Sequence, residues 1–279
     1  MAKIAVTSGE AGNRPARRLL ASGDGWSASE VVCTLGPGDR TFEEQHSSLS
    51  IAIVAAGTFQ YRSHAGSALM TPGSLLLGSP GQCFECGHEH GMGDRCISFS
   101  YTPEFFDRLD AAPSFRSLRV PPVRALSPVI ARASAALSGA AYTFWEEIGI
   151  GLAGLAAQLD RGEKQEAKSI SAAGIARVAR IVRTLERDPD SPRDLSALAH
   201  EARLSPYHFL RMFQSITGVT PHQYLLRLRM QRAAVRLVRE PAKIVEIALE
   251  CGFGDVSNFN RTFRAEFGVS PRGWRRATI

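Results

Sequence analysis

The chain has 279 residues, 44% of them hydrophobic and 22% charged, a composition that argues against collagen-like, coiled-coil and wholly disordered proteins. At the usual ~100 to 200 residues per domain this is about two domains, enough to bury ample core without disulfide staples. Charge is unevenly placed: residues 1–170 hold 15 Lys and Arg against 17 Asp and Glu, whereas residues 171–279 hold 18 against 10. Of those 18 only Lys243 is a lysine. Arginine suits forked contacts with phosphates and guanine edges, so the basic half points to nucleic acid as its partner.

Taken in chain order, residues 1–22 read as a flexible tail that lacks the apolar stretch of a signal peptide. The longest run of apolar residues and glycine, Ile148 to Ala157, falls well short of the ~18 needed to cross a bilayer, so a cytoplasmic protein with no membrane partner is expected. Five cysteines, Cys33, Cys83, Cys86, Cys96 and Cys251, are an odd count that fits reduced thiols. From Trp26 to Tyr101, β-rich runs such as SEVVCTL, SLSIAIVA, GTFQYRS and RCISFSY are broken by glycine and proline at roughly ten-residue spacing, which predicts an antiparallel barrel or sandwich. Thr102-Pro103-Glu104 then opens a short helix through Leu109.

Two helices follow between Ser127 and Leu159, the first opened by Ser127-Pro128. The second presents Trp145, Ile148, Leu152, Leu155 and Leu159 at alternating spacings of three and four. That is a helix-pairing seam, serving either the protein's own barrel or the interface of a homodimer. The polar stretch 161–170 reads as a linker between a domain at 23–160 and one at 171–279.

The basic domain contains an internal repeat. Leu198-Ala199, Glu201 and Leu204 match Ile247-Ala248, Glu250 and Phe253 at an offset of 49; Phe209, Arg211, Phe213, Gly218 to Pro221 and Tyr224 match Phe259, Arg261, Phe263, Gly268 to Pro271 and Trp274 at an offset of 50. Each copy has the parts of a helix-turn-helix. In the first, Ser191-Pro192 opens a helix reaching Ala202, and Ser205-Pro206 caps a second that Gly218 ends. In the second, a helix over Ile244 to Cys251 breaks at Gly252, and Asp255 caps a helix ending at Gly268. The phenylalanine pairs sit four apart and should face the core. Tyr207, Leu210, Arg211 and Gln214 then lie on one outer face, and Ser257, Asn260, Arg261 and Arg264 on the other, at i, i+3, i+4, i+7. A helix from Thr220-Pro221 to Val238, about 27 Å long at ~1.5 Å per residue, would hold the copies near the ~34 Å of one DNA turn.

The stretches LSPYHFLRMFQSITGVTPHQYLLRLRMQRA and IVEIALECGFGDVSNFNRTFRAEFGVSPRGWR resemble the DNA-binding domain of the AraC/XylS family of bacterial transcription regulators, over about 172–277. The resemblance implies that the helices after Ser205 and Asp255 enter successive major grooves of double-stranded DNA. It carries contacts over to Tyr207, Leu210 and Arg211, and to Val256, Ser257, Asn260 and Arg261. Leu210 and Val256 depart from the polar side chains often found there and could read only a thymine methyl or DNA shape. RNA polymerase is the further partner of such a regulator. For the N-terminal half the resemblance implies a cupin-like β-barrel followed by a helix pair, which binds an effector or mediates dimerisation. The expected fold is thus α+β, a cupin-like β-barrel with a helix pair and then an all-α domain with two helix-turn-helix motifs. The expected function is regulation of transcription, not enzyme catalysis.

Cys83, Cys86, His88, His90 and Cys96 crowd into fourteen residues of the N-terminal half. If the strand continues past Cys86, then Cys86, His88 and His90 share a face, and Cys83 or Cys96 could complete a site for zinc or another soft metal ion, or a thiol sensor. Barrel packing, or a loop lining a pocket for an organic effector, remains open. Gly81, His88-Glu89-His90 and Asp94 also imitate in part the metal motif of cupin enzymes. The alternative function is therefore a metal-dependent enzyme fused to a DNA-binding domain.

Overall fold

The computed structural model describes residues 15–277 apart from 38, 40–42, 89–90, 92, 109–113, 140–144 and 163–170. The N-terminal half is built on strands β1 (Ala16–Gly23), β2 (Trp26–Cys33), β3 (Glu43–Gln45), β4 (Leu49–Ala56), β5 (Phe59–Ser63), β6 (Gly66–Met70), β7 (Leu75–Gly78), β8 (Cys83–Gly87) and β9 (Asp94–Tyr101). Helix α1 (Pro103–Asp107), strand β10 (Arg119–Val120) and helices α2 (Ser127–Leu137) and α3 (Trp145–Gly162) complete it.

The strands form two antiparallel sheets, ordered β1-β2-β9-β4-β7-β10 and β3-β8-β5-β6, which are not joined by strand pairing. Among the described residues the two sheets do not close into a barrel and make an open sandwich, so the structure does not confirm the expected cupin-like barrel. Period-two alternation builds its layers. Leu49, Ile51 and Ile53 of β4, with Ile97, Phe99 and Tyr101 of β9, are buried against Ile130 and Ala133 of α2 and Ile148 and Leu152 of α3. The opposite face of the large sheet sends Ala52, Val54, Leu76 and Cys96 toward Phe59, Tyr61 and Met70 of the small sheet.

Two boundaries differ from expectation here for identifiable reasons. Residues 16–22, read as tail, belong to β1. Gly25, at φ 77°, turns the chain so that β1 pairs with β2 from Trp26 to Val32, and Arg18 reaches Glu30 across the pair at 2.7 Å. The strand is mostly exposed at the sheet edge, so it lacks the alternation that marks strands in a sequence. Residues 161–162, assigned to the linker, finish α3, while 163–170 lie outside the described residues. Of the seam residues, Ile148 and Leu152 are buried against the protein's own sheet, the first of the two alternatives, while Trp145, Leu155 and Leu159 pack on the same core and are half-buried. Leu109, expected to end the first helix, is also outside the described residues.

The C-terminal half is all helix: α4 (Ala172–Arg187), α5 (Leu195–Glu201), α6 (Pro206–Thr217), α7 (Pro221–Arg239), α8 (Ile244–Glu250), α9 (Val256–Phe267) and α10 (Pro271–Ala277). Two cores share α7. Tyr224 and Leu225 join α4, α5 and α6 in the first, and Met230, Ala233, Ala234 and Leu237 join α8, α9 and Trp274 in the second. Helix α5 starts later than expected, capped by Asp194, which accepts from Ala197 N at 2.7 Å. The loop before it is held open because Arg229 donates to the carbonyls of Pro189 and Ser191, leaving Ser191-Pro192 outside the helix.

The two halves are packed together. Leu69 of β6 enters the first helical core and Ala131 of α2 the second. Arg119 donates to the carbonyls of Leu69 and Ile216 at 3.0 and 2.6 Å, Arg227 donates to Pro122 O at 2.8 Å, and Ser127 Oγ donates to the buried Glu266.

Candidate functional site

The duplicated motif places equivalent side chains in equivalent settings. Phe209 and Phe213 of α6 are fully buried with ring centroids 5.7 Å apart, and Phe259 and Phe263 of α9 likewise at 5.6 Å. Each helix begins on a side-chain cap: Ser205 Oγ accepts from His208 N, and Asp255 Oδ1 accepts from Asn258 N at 2.7 Å. Each ends on a left-handed glycine, Gly218 at φ 82° and Gly268 at φ 76°. Even the turn between helices keeps its geometry. Arg203 at φ 56° and Gly252 at φ 81°, 49 residues apart, are the left-handed residues of the two copies.

With the phenylalanines inward, Tyr207, Arg211 and Gln214 of α6 and Ser257, Asn260, Arg261 and Arg264 of α9 are exposed, and Leu210 and Val256 are half-buried. All nine predicted DNA-facing residues therefore stand at the surface of the second helix of their copy. Tyr207 is 64% exposed, and the Arg211 guanidinium lies 5.9 Å from its ring centroid, which restrains the arginine over the tyrosine face. Arg261 is restrained differently, donating to Asn258 Oδ1 at 3.1 Å. Among the described residues no helix is long and apolar enough to cross a membrane.

A second candidate lies in the N-terminal half, where a cavity of about 240 Å³ opens between the two sheets. Its cause is a row of small side chains on the inner face of the large sheet. Ser50 and Ala52 of β4 and Cys96, Ser98 and Ser100 of β9 line it opposite Phe59, Phe84 and Cys86, so the two faces do not fill the gap. At its polar wall His46 Nε2 meets Tyr61 Oη at 2.8 Å and stacks on Phe84 with centroids 4.3 Å apart. Burial, reinforced by the positive Arg17, pushes the His46 pKa down to about 4, so the ring is neutral near pH 7. Burial also pushes the Cys86 and Cys96 thiols up, which keeps them protonated.

The sequence cluster is only partly assembled there. Cys86, His88 and Cys96 line the cavity; Cys83, an odd three residues before Cys86, falls on the other face of β8 and is not among the lining residues. His90 lies outside the described residues. What His88 meets instead is Asp94, at 2.7 Å, and Cys33 from the end of β2. Among the described residues, Cys33, His88 and Asp94 bring possible metal-ligating atoms within 4.8 Å of one another. Burial opposes charge on His88, yet hydrogen bonds with Asp94 and Cys33 outweigh it and lift its pKa to about 9. Cys33 was missed because its place beside Asp94 comes from strand pairing between β2 and β9.

Residues 198–277 match the family model described as a helix-turn-helix domain. Among curated proteins, the chain is similar to the HTH-type transcriptional regulator MtrA of Neisseria gonorrhoeae, 26% identical over 100 residues, which cover 36% of this chain and 33% of that protein. It is also similar to the HTH-type transcriptional activator RhaS of Escherichia coli O139:H28, 42% identical over 79 residues, 28% of each chain. The match thus spans about a third or less of the length of these relatives. Among solved structures, a transcriptional regulator described with AraC-type DNA-binding domain proteins, from Chromobacterium violaceum, is 28% identical over 39% of this chain and 97% of its own, with a TM-score of 0.36.

Proposed function

We propose that the chain is an AraC-type, sequence-specific regulator of transcription acting in the cytoplasm on double-stranded DNA, a reading supported by the helix-turn-helix match at residues 198–277 and by the regulators similar to that region. The observation that carries this reading is the repeated outer face, with Arg211 and Arg261 exposed at the same position of two helices that each begin on a side-chain cap and end on a left-handed glycine. Each face reads one major groove, and RNA polymerase is the partner through which the output is delivered. The N-terminal half is the sensory part: its cavity supports binding of an effector, and the hydrogen bonds between the halves supply a route for its effect. Both named relatives are regulators, which favours this reading over a cupin-type enzyme.

The test is selection of bound sequences from a random duplex pool by the full-length protein. Two conserved half-sites about one helical turn apart are expected, with affinity falling steeply as salt rises because phosphate contacts release counterions. A pool that gains no common sequence contradicts the proposal.

A further inference from the structure

The triad under the cavity has the composition of a metal site. Cys33 ends β2, Asp94 begins β9 and pairs with Cys33 across the sheet, and His88 follows β8 of the other sheet. The side chains of His88 and Asp94 are 2% and 6% exposed, and Cys33 is buried. Ligand atoms around a tetrahedral ion at ~2.0 to 2.3 Å lie roughly 3.3 to 3.8 Å apart. The observed atoms are near that range, with His88 and Asp94 at hydrogen-bond distance, 2.7 Å, and all three within 4.8 Å of one another. One sulfur, one nitrogen and one oxygen donor form a borderline set, suited to zinc and its neighbours and unlike the all-oxygen sets of magnesium and calcium. Three protein ligands leave a fourth position, and all three residues line the cavity, from which a water or a small molecule could fill it.

The same place touches the helical half. Gly57, at φ 81°, is packed so closely that a Cβ there would stand 2.5 Å from Gly93 O and 2.8 Å from Asp94 Cα. Its N–H donates to Glu186 of α4 at 2.9 Å. The next residue, Thr58, accepts from Arg183 of α4 at 3.4 Å, and the one after, Phe59, stacks on His88 with centroids 6.0 Å apart. Residues 57–59 therefore have one side on α4 and the other on the triad.

We propose that Cys33, His88 and Asp94 bind a zinc-like divalent transition ion, and that residues 57–59 relay its occupancy to α4. An ion there ties the two sheets together at the end of the cavity and fixes Asp94 and His88, the groups against which Gly57 and Phe59 rest. The site itself is independent of the regulatory function; the relay rests on the reading of the chain as a DNA-binding regulator.

The experiment uses the full chain, reduced and stripped with chelator. Cobalt(II) titration should give one ion per chain with a thiolate charge-transfer band and tetrahedral visible bands, and zinc should displace it. Cys33→Ser and His88→Gln should lose the band, and Cys83→Ser should keep it. Wild-type protein that takes up no cobalt at micromolar concentration overturns the site, as does a band that survives Cys33→Ser or vanishes with Cys83→Ser. Because the wild-type titration decides by itself, a variant that fails to fold does not protect the idea. In a second arm, zinc should change the affinity of the wild type for its selected duplex by about five-fold or more, the lower range of allosteric coupling, and leave Cys33→Ser unmoved. Equal affinities with and without zinc overturn the relay. Failure to bind any duplex in either state is a failure of the regulator reading, recognisable because the cobalt band is unaffected by it.

Discussion

Arg211 and Arg261 occupy the same outer position of the two copies, but their immediate neighbours differ. Arg211 leans on the Tyr207 ring, whereas Arg261 is held by the Asn258 side-chain oxygen. If both read bases, Arg211→Ala and Arg261→Ala should each cost about 1 to 3 kcal/mol of DNA binding and relax base preference in only one half-site. Selection profiles of the two variants check this, since contact with phosphate alone predicts uniform weakening on every sequence. In the N-terminal half, His46 predicts an acid limb of stability. Its folded pKa, about 4, lies below the ordinary value of 6.5, so on acidification the unfolded chain takes up the proton first. The contribution is whole above about pH 6.5 and declines as the pH falls toward 4. Melting temperatures across that window should fall further for the wild type than for His46→Gln, which retains a partner for Tyr61 without the titrating ring.

At the scale of elements, the two helix-turn-helix copies allow a controlled comparison. Gly218 and Gly268 end α6 and α9 in the same left-handed conformation, so alanine should cost each about 1 to 2 kcal/mol from backbone strain. Their surroundings differ. A Cβ at Gly268 meets nothing within 4 Å, whereas one at Gly218 would stand 2.6 Å from Pro121 Cβ of the N-terminal half. Denaturant unfolding should therefore show Gly218→Ala losing more stability than Gly268→Ala. Equal losses would mean that Pro121 moves aside freely. The turn residues tell the same story of one geometry under two constraints: Arg203 is exposed, whereas a side chain in place of Gly252 would meet Asp190 O at 2.8 Å.

For the whole molecule, the fate of α3 decides how the halves are held. Its apolar stripe covers the large sheet, Asp160 near its end accepts from the backbone N–H groups of Arg116 and Ser117, and the chain then passes β10 to reach α2, which packs on the DNA-binding half. Leu152→Ala should accordingly cost about 2 to 5 kcal/mol of stability, the range for deleting a buried leucine, without changing the mass in solution. Sedimentation together with unfolding checks both parts. A variant of unchanged stability but lower mass would return the seam to a subunit interface.

By itself the sequence determined the features that close within a few residues. Caps at Ser205 and Asp255, stops at Gly218 and Gly268, the four-residue spacing of the phenylalanines and the repeat at offsets of 49 and 50 are local, and α6, α7 and α9 follow from them nearly to the residue. Only the tertiary structure decided what each apolar or polar face meets. A stripe such as Trp145 to Leu159 shows that a helix is covered without showing by what, and burial free energy is the same whether the cover is a sheet or another subunit. The cysteine-histidine cluster was legible as a dense segment, but alternation along β8 sends Cys83 and Cys86 to opposite faces, and the partners of His88 come from strand register. Cys33 and Asp94 stand side by side only because β2 pairs with β9, a contact across 61 residues of chain that no local propensity encodes.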